Sequence, residues 1–175
     1  MSIRTFGFSP TIAVVASGII GFATLASAQE MPMPQGVTVL TVSGDIENTN
    51  VDDTAVFDIE MLRELPQTTI RTSTIWTDGE QEFVGVELAT LLEFVGANGE
   101  SLQATAINDY SIEFPTADAL PGGALVAYEN NGKQMTVRNK GPLWVVFPYD
   151  SSPDFQTEVV YSRSIWQLDR LEILE

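Results

Sequence analysis

Residues 82–96 read EFVGVELATLLEFVG. Glu82, Phe83 and Val84 continue a strand that emerges from Asp78-Gly79, a residue pair suited to a tight hairpin turn. From Glu87 onward the period changes from two to that of a helix. Leu88, Leu91, Leu92 and Val95 then share one face, and Gly96 stands where a helix C-cap needs a left-handed residue. A hairpin that feeds directly into a short amphipathic helix predicts a mixed domain, with the helix laid against a sheet.

The reading extends in both directions from this segment. Residues 68–76 are rich in Thr and Ile and form the preceding strand of the hairpin. Residues 57–65 carry apolar side chains at Phe57, Ile59, Met61, Leu62 and Leu65, a short helix stopped by Pro66 with Asp58 near its positive end. Residues 37–42 are a first strand ended by Ser43-Gly44, and residues 29–36 (QEMPMPQG) are expected to form a mobile leader. Toward the C-terminus, strands at 104–107 and 111–114 flank Asn108-Asp109-Tyr110. Strands at 125–128 and 134–138 flank Asn130-Asn131-Gly132-Lys133, the clearest hairpin signal in the chain. Residues 143–147 and 165–173 supply the last strands. The sum is a single α+β domain over residues 37–175, richer in strand than in helix.

The N-terminus marks the chain for export. Arg4 gives a positive start, residues 12–22 are apolar and small, and Ala26-Ser27-Ala28 offers the small-residue pattern of a cleavage site. The apolar run is short of the roughly 20 residues that a membrane anchor needs. Residues 1–28 are therefore expected to be a cleaved signal peptide, with the mature protein outside the cytoplasm and not inserted in the membrane. Cleavage would remove one of 8 basic residues and none of the 24 acidic ones, from a chain whose net charge is already −16. Such a charge disfavours nucleic acid and anionic membrane surfaces as partners. The chain has no cysteine and no histidine. The commonest general base and the usual ligands of zinc, copper, haem and iron–sulfur centres are thus missing, and no metal is expected.

With cations so scarce, their placement is informative. Lys133, Arg138, Lys140 and Arg163 fall in one part of the chain. In a strand, Thr136, Arg138 and Lys140 would share a face. Gly141-Pro142 then turns the chain, and Trp144 follows as a flat aromatic surface. Guanidinium donors beside an aromatic face suit a planar, electron-rich or anionic ligand. The same residues have plainer uses: cations pair with surface carboxylates, tryptophans fill cores, and Asn108-Asp109-Tyr110 makes an Asx turn.

A family resemblance enters through an ordered set of segments. They are Phe83 to Leu92 with Gly96, Ala106-Ile107-Asn108-Asp109-Tyr110-Ser111, the Asn131-Gly132 hairpin, Gly141-Pro142-Leu143-Trp144 through Asp150, and Tyr161-Ser162-Arg163-Ser164-Ile165-Trp166. Together they resemble the sulfite-oxidase-type molybdopterin-binding domain. Enzymes of that type hold molybdenum through a cysteine thiolate on the segment before the helix, where this chain reads TTIRTSTIW over residues 68–76. A hydroxyl does not replace a soft thiolate on such a centre. The chain looks more like the short exported PruR-like proteins, which bind a reduced pterin without molybdenum. Some of these act as sensors for the periplasmic part of a membrane enzyme that sets cyclic-di-GMP levels. The resemblance implies a periplasmic, non-catalytic pterin binder. Trp76, Tyr110 or Trp144 would stack on the ring, and Asp109 and Asn108 would bond its edge. Arg138 and Lys140 would meet its carbonyl or side-chain hydroxyls. A molybdopterin oxidoreductase and a ligand-free interaction module are the competing readings.

Overall fold

The structure is a computed structural model that describes residues 31–175. The expected signal peptide (1–28) and the first two leader residues lie outside the described residues. Among the described residues, ten strands form one sheet. They are β1 (Leu40–Gly44), β2 (Ala55–Phe57), β3 (Gln67–Ser73), β4 (Glu80–Glu87), β5 (Ser101–Ala106), β6 (Ser111–Pro115), β7 (Leu125–Asn130), β8 (Lys133–Gln134), β9 (Leu143–Val146) and β10 (Trp166–Leu174). Three short helices accompany them: α1 (Ile59–Glu64), α2 (Leu88–Val95) and α3 (Glu158–Arg163). The main path runs β2-β1-β10-β9-β7-β4-β3, with β5 on β10, β6 on β5 and β8 on β7. Only β1 and β10 pair in parallel; the other named pairs are antiparallel. The fold is thus the strand-rich α+β domain expected from the sequence. Among the described residues, no helix is long and apolar enough to cross a membrane.

The central segment folds as its pattern dictates. β3 and β4 pair from Gln67↔Val86 to Ser73↔Glu80. Leu88, Leu91, Leu92 and Val95 of α2 are buried, and Gly96 caps the helix at φ 65°, a conformation in which a side chain would be strained. β4 is longer than its apolar stretch suggested, because Gly85 and Val86 continue the ladder to β7. α3 was not anticipated from the sequence. It has no buried residue, so it lacks the buried apolar stripe by which amphipathic helices are recognised.

Two expectations fail for identifiable reasons. The leader is packed against the domain over residues 31–36. Met31 is buried, the Pro32 carbonyl accepts from Asn50 Nδ2 at 2.7 Å, and the Gln35 and Gly36 amides donate to Asp58 Oδ2 at 2.8 and 2.7 Å. The strand foreseen over 134–138 ends at Gln134. The chain then coils through a 3-10 turn, Val137–Asn139, closed by Asn139 and Gly141 amides that both donate to the Thr136 carbonyl at 2.8 Å. Lys140 sits at φ 68°. Thr136, Arg138 and Lys140 therefore do not share a strand face. Gly141 makes the turn possible, because any Cβ there would collide with the backbone of Met135.

Candidate functional site

β10 begins with a bulge that organises the site. Trp166 pairs with Trp144 and Leu168 with Leu143, leaving Gln167 out of register at φ 56°. Its amide donates to the Lys140 carbonyl at 2.9 Å, and its carbonyl accepts from the Ile107 amide at 2.9 Å. Its side chain donates to the Val137 carbonyl at 2.8 Å. One residue thus ties the β5–β6 turn to the 3-10 turn before β9, and the two loops frame neighbouring cavities.

The first cavity is a cleft of about 420 Å³ lined by Trp76, Tyr110, Tyr161, Trp166, Asn108 and Ser162, with Ala106, Ser164 and Ile165 completing it. Trp76 is its hub. Its ring meets those of Trp166, Tyr161, Trp144 and Tyr149 edge-on, with centroids 5.7, 5.8, 5.9 and 6.2 Å away. Edge-to-face packing of this kind holds rings in fixed planes. Behind them, the Tyr149 hydroxyl donates to Ser164 Oγ at 2.6 Å, and that hydroxyl in turn donates to the Val160 carbonyl at 2.8 Å. Burial pushes the Tyr149 phenol up to about 12, so near neutral pH it holds its proton and serves as structure. Trp144 Nε1 donates to the Ser164 carbonyl at 3.2 Å. The cleft is thus built from the β3–β4 loop, the β5–β6 turn, α3 and the start of β10.

The residues expected from sequence divide. Trp76, Asn108 and Tyr110 line the cleft together. Asn108-Asp109-Tyr110 is indeed an Asx turn, with Asn108 Oδ1 accepting the Tyr110 amide at 3.3 Å. Asp109 (φ 63°) does not line the cleft; its carboxylate is held by Arg170 Nη2 at 2.8 Å. Arg170 Nη2 also donates to the Ala106 carbonyl at 2.9 Å, so it ties down both ends of the turn. Trp144 is 2% exposed and packs edge-on against Phe83 at 5.3 Å. It belongs chiefly to the core. Arg138 and Lys140 lie on the far side of the Trp76–Trp166 wall, lining two further cavities. Lys140 Nζ sits 5.5 Å from the centroid of the Trp144 ring and 6.0 Å from that of Trp166. Arg163, grouped with these cations by sequence position, is instead committed to Asp118 at 2.8 Å and lies over the Phe114 ring at 5.2 Å. Sequence reasoning missed Tyr161, Ser164, Gln167 and Arg170. Tyr161, Ser164 and the aromatic Trp166 beside them lie within the segment that carried the resemblance, the one signal that pointed there. Gln167 and Arg170 carried no local signal, because their partners are distant in sequence.

The comparisons with known proteins define the class. Residues 37–151 match the model of the oxidoreductase molybdopterin binding domain, and the chain belongs to that family. Among solved structures it is similar to the sulfane dehydrogenase SoxCD from Paracoccus pantotrophus, at 21% identity and a TM-score of 0.56, over 77% of this chain and 37% of that one. At that identity the likeness speaks for the fold, and this chain spans little more than a third of the other's length. No curated protein matches the chain.

The family implies a molybdenum-bearing pterin, and the residues present do not fit the metal. On β3, Thr72 is buried; its hydroxyl accepts the Asp150 amide at 3.1 Å and donates to the Ser73 carbonyl at 3.2 Å. The Ser73 amide and hydroxyl donate to the two Asp150 carboxylate oxygens at 2.6 and 2.7 Å. These bonds hold the Asp150 carboxyl below its ordinary value. The Thr72 and Ser73 hydroxyls are therefore occupied, and hydroxyls are hard ligands in any case. Among the described residues, no three of His, Cys, Asp and Glu gather as a metal site. A flat organic ring is a different matter. The cleft has the volume, the aromatic walls and the few polar groups typical of small-molecule sites.

Proposed function

We propose that this protein is an exported, non-catalytic binder of a reduced pterin that carries no molybdenum. We further propose that it works in the periplasm as a ligand-dependent sensor for the periplasmic part of a membrane protein that sets cyclic-di-GMP levels. The observation that carries the first statement is the cleft around Trp76, where aromatic walls meet the Asn108 amide and the Ser162 hydroxyl. A pterin is a planar bicycle with amide-like edges, and it requires both stacking faces and rim hydrogen bonds. The occupied Thr72 and Ser73 hydroxyls and the absence of Cys and His from the sequence count against oxo transfer.

The sensor role draws support from the rim. Ile107, Tyr110, Val137 and Trp166 are exposed large apolar residues; Ile107 and Tyr110 lie on the β5–β6 turn, Trp166 opens β10, and Val137 lies on the 3-10 turn beside the neighbouring cavity. A partner docked there would cover a bound ring, giving the differential contacts that any ligand switch requires. The test begins with protein purified from its native compartment. Its denatured, oxidised extract is resolved for fluorescent pterins while a parallel sample is analysed for molybdenum. Near-stoichiometric pterin without molybdenum is the expected result. Stoichiometric molybdenum would overturn it in favour of an oxidoreductase. One affinity for the partner domain with and without pterin would remove the sensor role and leave carriage.

A further inference from the structure

Gln167 stands between two surfaces. On one side is the ring cleft. Trp166, its neighbour in the chain, lines that cleft, and so does Asn108, which follows the Ile107 amide that donates to the Gln167 carbonyl at 2.9 Å. On the other side is the 3-10 turn before β9, which leaves Val137 51% exposed and buries none of its residues. A turn without burial owes its shape to hydrogen bonds, and such segments open most readily. Its internal bonds, from the Asn139 and Gly141 amides, both end on the Thr136 carbonyl. Among the described residues, two hydrogen bonds reach residues 136–140 from outside the turn, and both start at Gln167. Its amide donates to the Lys140 carbonyl at 2.9 Å, and its Nε2 donates to the Val137 carbonyl at 2.8 Å.

The backbone points to the same junction. Asp109, Lys140 and Gln167 have φ of 63°, 68° and 56°, a left-handed conformation that L-residues seldom adopt. All three lie on the segments that these bonds join. Residues held in this way gather at ligand clamps and switch regions, where the surrounding bonds over-determine them.

We infer that Gln167 is a positioning residue that carries occupancy of the ring cleft to the Val137 surface, so that a bound ring orders the 3-10 turn. The inference rests on the pterin reading and supplies the sensor role with a route. A ring held between Trp166 and Asn108 limits the motion of both walls. Gln167, fixed between them, then keeps its side-chain amide on the Val137 carbonyl for more of the time. The ring itself does not touch the turn, since neither Val137 nor Lys140 lines the cleft. A partner that docks on Val137 meets an ordered surface only when the cleft is filled, which couples the two binding events.

Amide exchange read by NMR on the intact mature protein tests this, with and without saturating dihydropterin, a ring that carries no arm to reach the turn. In wild type the ring should slow exchange of the Asn139 and Gly141 amides by about two- to tenfold, the scale of one hydrogen bond. Two variants remove the side-chain tie in different ways. Gln167→Asn tolerates the left-handed backbone but is shorter, and Gln167→Glu keeps the length but has no donor when ionised. At saturating dihydropterin both should lose the slowing at the turn, while slowing at the Ile107 and Tyr110 amides, which reports the filled cleft, persists. No slowing at the turn in ring-saturated wild type, or slowing that survives in either variant, overturns the route through Gln167 while the pterin reading stands. If dihydropterin does not bind wild type at all, the pterin reading fails and this inference fails with it.

Discussion

Two regions of this molecule treat their polar groups in opposite ways. At the N-terminal edge, the buried Asp58 carboxylate (3% exposed) accepts the Gln35, Gly36 and Met61 amides at 2.8, 2.7 and 2.9 Å. One side chain caps α1 and ties down the leader. Around the Trp76–Trp166 wall, by contrast, Asn130 Nδ2 has no partner, and Lys133, Arg138 and Lys140 pair with no carboxylate among the described residues. A satisfied buried polar group holds a fold together. Lys133 and Arg138 are exposed and meet water, so of these donors the buried Asn130 Nδ2 is the one that costs the free protein stability.

The contrast breaks most visibly at Trp76. Trp76→Ala should weaken pterin binding about 10- to 100-fold, on the scale of roughly 1–3 kcal/mol per stacked ring. It should also lower stability, since four aromatic neighbours lose a contact. Ligand titration together with thermal melting separates the two effects, and affinity unchanged in a folded variant would place the ring elsewhere.

Asp58→Ala should do the reverse. Loss of the cap should cost about 1–2 kcal/mol, read by urea unfolding, with pterin affinity unchanged. The Gln35 and Gly36 amides should lose hydrogen-exchange protection. The pH dependence has a definite sign. The backbone amides of Met61 and Gly36, ahead of the burial that opposes them, hold the Asp58 carboxyl below its ordinary 3.8. Its stabilising contribution is therefore complete above that ordinary value and fades as pH falls through the lower, folded one. Wild type and Asp58→Ala should accordingly converge in stability under acid and reach their full difference by about pH 5. A constant gap across that range would mean that the carboxylate charge is not what holds the leader.

The smallest effect is expected at Asp109, which lies between the two kinds of region. If its carboxylate only steadies the β5–β6 turn through Arg170, Asp109→Asn should weaken pterin binding less than fivefold and shift stability by under about 1 kcal/mol, as exposed ion pairs do. A loss well beyond tenfold would show that Asp109 touches the ring edge directly.

Much of the fold was legible because its signals are local. The Asp78-Gly79 turn, the Leu88/Leu91/Leu92/Val95 face and the Gly96 cap each act within a few residues. The site was legible only in part. Asn108 and Tyr110 were found together because one turn carries both, whereas Arg138 and Lys140 were assigned to a strand face that does not exist. Met135 is buried and Gly141 packs against its backbone, so the chain coils where alternation suggested extension. Asp109 and Trp144 do not line the cleft, because their environments are set by Arg170 and Phe83, which lie 61 residues away in the first case and on a different strand in the second.

By itself the sequence determined the strand-rich class, the acidic surface, and the absence of any thiol or imidazole for a metal, since composition and short-range periodicity carry these. Tertiary structure alone decided which aromatic rings wall the cleft and which cations stay unpaired. Those properties depend on the Gln167 bulge bringing the β5–β6 turn and the turn before β9 to opposite sides of one tryptophan pair, and no local pattern encodes a meeting between segments so far apart.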